Sequence, residues 1–229
     1  MTKSFNFDEY FDRYENNRKI QKQIEDIIKV RYPDCTFQWI EDKERQEKGL
    51  DLILWNGWAK LNIDIKGISY ARNHHYLKDI SVELVSNYDL WINTKGNQGQ
   101  SWLFKITSET HAVLYYWLDK NGNVMSRLIL IYYDDLRKWG SYYFPFNDLF
   151  NFLRQIAINK KIKTQSKKSQ YLGKIDGFAL HSARNLNKTV NSFYYTINTG
   201  VQLKEVADFF KESQLEKIVM LGVDEEFMR

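Results

Sequence analysis

Asp51, Asp64 and Lys66 are the side chains whose types and spacing suggest chemistry. Asp51 follows Gly49 and Leu50 at the start of an apolar run, LDLILW (50–55), and Asp64 and Lys66 stand two apart in NIDIKG (62–67). Residues two apart on a strand share a face, so this acid and lysine point one way while Ile63 and Ile65 point into a core. NGW (56–58) is a turn signal, and a hairpin folding 50–55 onto 60–67 brings Asp51 near Asp64 at its open end. Two carboxylates so placed repel, and burying both is costly unless a cation joins them. A divalent ion does this, and hard oxygen ligands select Mg2+ or Mn2+. Lys66 is then placed to orient a water, hold a phosphate oxygen or act on the proton of a nucleophile. The plainer alternative is the polar face of an exposed hairpin in which Lys66 pairs with one acid.

The elements that must position these residues are readable from periodicity. Ile20, Ile24, Ile27 and Ile28 recur at helical spacing within 10–31, and Pro33 ends that helix. CTFQWIE (35–41) reads as a strand and DKERQEKG (42–49) as a charged turn, before the strands 50–55 and 60–67. Residues 69–79 form a polar loop, 80–86 a strand, and NYDLWINTKGNQGQ (87–100) a loop. Residues 101–106, 112–119 and 127–133 read as strands, the last two joined by the Asn-Gly turn of KNGN (120–123). A helix is expected over 146–159 with Asn147 as its N-cap, extended chain over 170–198, and one or two helices over 202–221. The last stretch is acidic and suits a packing or dimerisation helix better than a groove-reading one.

The chain of 229 residues is 43% apolar, enough to bury a core. It has no apolar run of membrane-spanning length and no signal-peptide pattern at its start. Cys35 is the only cysteine, which excludes an internal disulfide and a thiolate zinc cage; a cytoplasmic protein is the expectation. The 14 Phe, 7 Trp and 15 Tyr fall mostly in predicted strands, so core packing accounts for most of them. Trp58, Trp102, Trp139 and Tyr171 are the candidates for exposed stacking. No Walker loop, G-x-S-x-G, H-E-x-x-H or G-x-G-x-x-G occurs.

The net charge of +4 is unevenly spread. Residues 1–150 carry 20 basic and 21 acidic side chains, whereas 151–188 carry 9 and 1. Lys160, Lys161, Lys163, Lys167 and Lys168 dominate the second segment. Clustered cations are an electrostatic footprint of nucleic-acid binding; a solvated loop that keeps the protein soluble explains them as well.

The order helix, strand, GLD (49–51), NIDIKG (62–67) resembles the PD-(D/E)XK nuclease superfamily. The spacing is similar to that of archaeal-type Holliday junction resolvases. The stretch QIEDIIKVRYPDCTFQWIEDKERQEKGLDLILWNGWAKLNIDIKG also looks like small nuclease-like proteins of phages and mobile elements. The likeness covers about residues 15–135 and rests on a short motif and the order of elements.

The resemblance implies an α/β fold with a restriction-endonuclease-like mixed central sheet flanked by helices, and a C-terminal α+β extension. The core would occupy 1–150 and the extension 151–229. It implies a Mg2+-dependent DNA endonuclease, with Mn2+ as a substitute. Asp51 and Asp64, with Glu25 on the first helix and the carbonyl of Ile65, would hold the metal, and Lys66 would act at the nucleophile. Arg72, His74 and Lys78 in the loop after the metal strand, with the lysines of 160–168, would contact DNA. Glu83 is a candidate supporting acid. Cutting both strands usually calls for a homodimer. The alternative is a non-catalytic DNA-binding or assembly protein on the same fold.

Overall fold

The computed structural model describes residues 18–47, 49–55, 57, 59–68, 79–104, 109–158, 169–187, 192–212 and 218–221. In chain order its elements are α1 (Arg18–Arg31), β1 (Thr36–Trp39), α2 (Lys43–Glu47), β2 (Leu52–Trp55), β3 (Lys60–Ile68), β4 (Asp79–Val85), α3 (Tyr88–Asn93), β5 (Ala112–Leu118), β6 (Val124–Tyr132), α4 (Tyr133–Tyr143), α5 (Phe146–Ile158), β7 (Ser169–Ile175), β8 (Phe178–Asn187), β9 (Ser192–Gln202), α6 (Leu203–Glu212) and β10 (Ile218–Leu221). The protein is α/β, with one six-stranded mixed sheet, β1-β2-β3-β5-β6-β10, and one four-stranded sheet, β4-β9-β8-β7. Among the described residues no helix is long and apolar enough to cross a membrane.

The chain divides into two compact units, neither continuous in sequence. One contains the described residues up to Ile80, then 109–136 and 202–221. The other contains 81–104, 137–158, 169–187 and 192–201. The boundary expected at residue 150 falls inside α5, within the second of these.

In the unit built on the six-stranded sheet, β1, β2 and β3 form an antiparallel meander, and β3 pairs in parallel with β5. β5, AVLYYWL, is buried at every position, as expected of an uninterrupted apolar run in a central strand. α1 lays Ile20, Ile24 and Ile28 against Leu52, Ile63, Ile65, Leu114, Tyr116, Leu128 and Leu130. Each of those isoleucines is almost fully buried, worth roughly 1.5–3 kcal/mol apiece. Gln23 ties the helix to the far hairpin, its Oε1 accepting the Val124 amide at 2.9 Å. This face of β3 is therefore the packed one, and the face carrying Asp64 and Lys66 is its opposite.

The unit built on the four-stranded sheet is held by aromatic packing. Phe178 packs among Trp139, Tyr143 and Phe144, and Trp91 meets Phe146 and Phe150 edge-on. Tyr88 donates its hydroxyl to the Leu153 carbonyl at 2.9 Å, and burial followed by the nearby Asp89 pushes its phenol well up. β7 and β8 turn at Asp176 and Gly177, both with positive φ (46° and 85°), as a two-residue hairpin turn requires.

Several expectations need correction. The charged turn 42–49 contains the short α2. The loop 87–100 contains α3, where Asn87 Oδ1 accepts the Leu90 amide at 3.0 Å and caps the helix. Trp102–Phe104 is a 3-10 turn rather than part of a strand. A whole helix, α4, follows β6 directly, where no element was expected. α5 begins at Phe146, with the Asp148 and Leu149 amides both on the Pro145 carbonyl, so Asn147 lies inside the helix and is not its cap. Within 202–221, Leu203–Glu212 is helix as expected, but Ile218–Leu221 is a strand paired with β6, as its apolar, β-favouring composition allows. Trp139 is buried, not exposed; Tyr171 is exposed.

Candidate functional site

β2 and β3 pair through Leu52↔Ile63 and Ile53↔Asn62, so one further step sets Asp51 opposite Asp64. Asp51 sits at the mouth of β2 and is held from three sides. Its amide donates to the Ile63 carbonyl at 3.0 Å, its carbonyl accepts the Ile40 amide at 2.9 Å, and its Oδ2 accepts the Ile65 amide at 2.7 Å. The Asp51 carboxylate thus lies against the backbone of β3, beside Asp64. Because an extended residue turns its N–H and C=O to the same edge, the Ile65 carbonyl shares the edge that faces Asp51.

Asp64 is 2% exposed and Asp51 6%. Buried carboxylates need partners, and Lys66 supplies one, its Nζ 2.7 Å from Asp64 Oδ1. Gly49 positions the turn that delivers Asp51. Its φ is +82°, and a Cβ there would meet Thr110 Oγ1 at 3.2 Å and Asp64 Oδ2 at 3.7 Å. Thr110, itself buried, donates its hydroxyl to the Gly49 carbonyl at 2.7 Å and pins this turn. On the other side of β3, Tyr115 is the parallel partner of Lys66 and shares its face. Burial raises the Tyr115 phenol far above its usual range; the Asp64 charge adds to this and the Lys66 charge opposes it. Tyr115 therefore carries a proton at any working pH. Its apolar setting, in a strand of seven buried residues, leaves no mark of it in the sequence.

Of the expected site residues, Asp51, Asp64, Lys66 and Ile65 come together. Glu25 does not join them. Its Oε1 accepts the Trp39 indole N–H at 2.8 Å, and Trp39 pairs with Leu52 on the α1 side of the sheet. Glu83 lies on β4 in the other unit, accepting the Ser86 hydroxyl. Arg72, His74, Lys78, Lys160, Lys161, Lys163, Lys167 and Lys168 lie outside the described residues.

Among the described residues no group of three or more His, Cys, Asp or Glu is arranged to hold a metal ion. The donor set is two buried carboxylates and a main-chain carbonyl on one strand edge. That fits Mg2+, which is commonly held by one or two carboxylates and completes its shell with water and phosphate oxygens. It does not suit an all-protein calcium cage or a zinc site.

No family model matches the sequence, and no curated protein or solved structure matches the chain.

Proposed function

We propose that this protein is a metal-dependent DNA endonuclease that hydrolyses phosphodiester bonds, and that its six-stranded unit is a restriction-endonuclease-like core. The observation that carries the reading is the pair of buried acids, Asp51 and Asp64, brought side by side at the β2–β3 mouth. The order α1, β1, β2, β3, with an Asp before β2 and Asp-X-Lys on β3, agrees with what the likeness to the PD-(D/E)XK superfamily implies.

Asp51, Asp64 and the Ile65 carbonyl would hold Mg2+. When bound, the ion would acidify a water and offset charge on the phosphorus. Asp51 is fixed for this task by the Ile65 amide, and Asp64 by its place between Asp51 and Lys66. The Lys66 ammonium would hold a phosphate oxygen and stabilise the anion that develops there. The lysines of 160–168 would track the DNA backbone. The test is incubation with supercoiled plasmid and with a synthetic four-way junction, with and without Mg2+, beside Asp64→Ala. Mg2+-dependent nicking lost in Asp64→Ala supports the reading.

A non-catalytic DNA-binding or assembly role is the second reading. The Lys66–Asp64 pair favours it, because it neutralises a buried acid without a metal. DNA retention with no Mg2+- or Mn2+-dependent nicking would select it.

A further inference from the structure

Asp64 is almost wholly shielded from water, and its Oδ1 is engaged by the Lys66 ammonium at 2.7 Å. Its other oxygen, Oδ2, is the one nearest the Gly49 turn that delivers Asp51. A divalent ion shared by Asp51 and Asp64 would therefore arrive within a few ångströms of a positive charge already paired to the same carboxylate. Like charges at such separation repel strongly where water is excluded. Two acids and one ammonium sum to a single negative charge, too little to balance a divalent ion. If the ammonium moves off Asp64, both carboxylates face the ion, and the lysine is left seeking an anion. About a third of the Lys66 side chain is exposed, so it has room to swing.

We propose that Lys66 is a displaceable resident cation of the Asp51–Asp64 site. It holds Asp64 until a divalent ion binds, and binding releases its ammonium toward a phosphate oxygen. The inference rests on the metal-dependent reading of this site and adds to it the expectation that metal binds weakly until a phosphate is present to take the ammonium. Metal and phosphate would then bind cooperatively, each favouring the other through the position of one lysine.

The test is calorimetric titration of Mn2+ into the full-length protein, into Lys66→Met and into Asp51→Asn, at neutral pH and without DNA. Lys66→Met should bind Mn2+ about tenfold more tightly than the native chain, within the usual span of a site–site coupling. In the native protein, Mn2+ should increase acetylation of Lys66 by acetic anhydride, read by peptide mass spectrometry. This second measurement decides alone if circular dichroism shows that Lys66→Met fails to fold. Equal or weaker binding by folded Lys66→Met, or Lys66 labelling unchanged at saturating Mn2+, overturns the proposal and leaves the metal site standing. No Mn2+ binding by native or Lys66→Met protein, or binding undiminished in Asp51→Asn, overturns both.

Discussion

A substitution can separate the proposed role of Asp51 from its observed one. Its carboxylate is a candidate metal ligand, and it also satisfies the buried Ile65 amide. Asp51→Ala removes both and should cost roughly 1–3 kcal/mol for the amide left without its acceptor. Asp51→Asn keeps an acceptor oxygen and should retain most of that stability while losing metal affinity; denaturant melts of the two variants check the split. Gly49 is tested more simply. Alanine at φ +82° is strained by roughly 1–2 kcal/mol, and its methyl would press on Thr110 Oγ1. Gly49→Ala should therefore lower both stability and cleavage, the second because the turn carries Asp51. At this scale the sequence was informative where period and turn chemistry spoke. Alternation in NIDIKG placed Asp64 and Lys66 on one face, and the expected pairing of 50–55 with 60–67 placed Asp51 beside Asp64. It did not show Glu25 on the Trp39 indole, because a helical wheel shows which residues border an apolar stripe and not which face of a sheet that stripe covers. It failed for Tyr115, because in an uninterrupted apolar run nothing marks the residue that faces a polar neighbour.

Among the elements, the β5–β6 hairpin links α1 to the strand beside the site. Asp119 closes its turn, accepting the Asn121 amide at 2.8 Å and the Asn123 amide at 2.9 Å. The Asn123 amide, with smaller help from its side chain, the Asn121 amide and Lys19, holds the Asp119 carboxyl below its usual 3.8. A carboxyl lowered by folding contributes stability above its unfolded pKa and loses it as pH falls through the folded value. Native protein should therefore be more stable than Asp119→Asn at neutral pH, and the gap should close below about 3.8; denaturation of both across that range measures it. The elements found from sequence had strong periods, as in α1 and β3, or strong turns, as in the Asn-Gly hairpin. α4 was hidden because YYDDLRKWGSYY continues an aromatic strand with no break. The Asp176–Gly177 turn was legible but passed within a stretch read only as extended.

For the whole molecule, the distribution of charge says more than its sum. The acids of the site lie in a nearly neutral 1–150, and the excess of cations lies in 151–188. Replacing Lys160, Lys161, Lys163, Lys167 and Lys168 by Gln should weaken DNA binding. The slope of log affinity against log salt should become shallower by about 0.9 for each phosphate no longer neutralised. An unchanged slope would assign these lysines to solubility alone. The division into two units was not legible, because each unit is assembled from separated segments; composition along the chain reveals a continuous boundary and misses an interleaved one. The central proposal is metal-dependent cleavage of DNA by Asp64 and Lys66. It is tested by comparing native, Asp64→Ala and Lys66→Ala proteins for Mg2+-dependent plasmid nicking, with DNA binding measured alongside. Nicking by the native protein alone is expected, with binding largely retained in both variants. Cleavage that persists in both variants in the presence of EDTA would refute it.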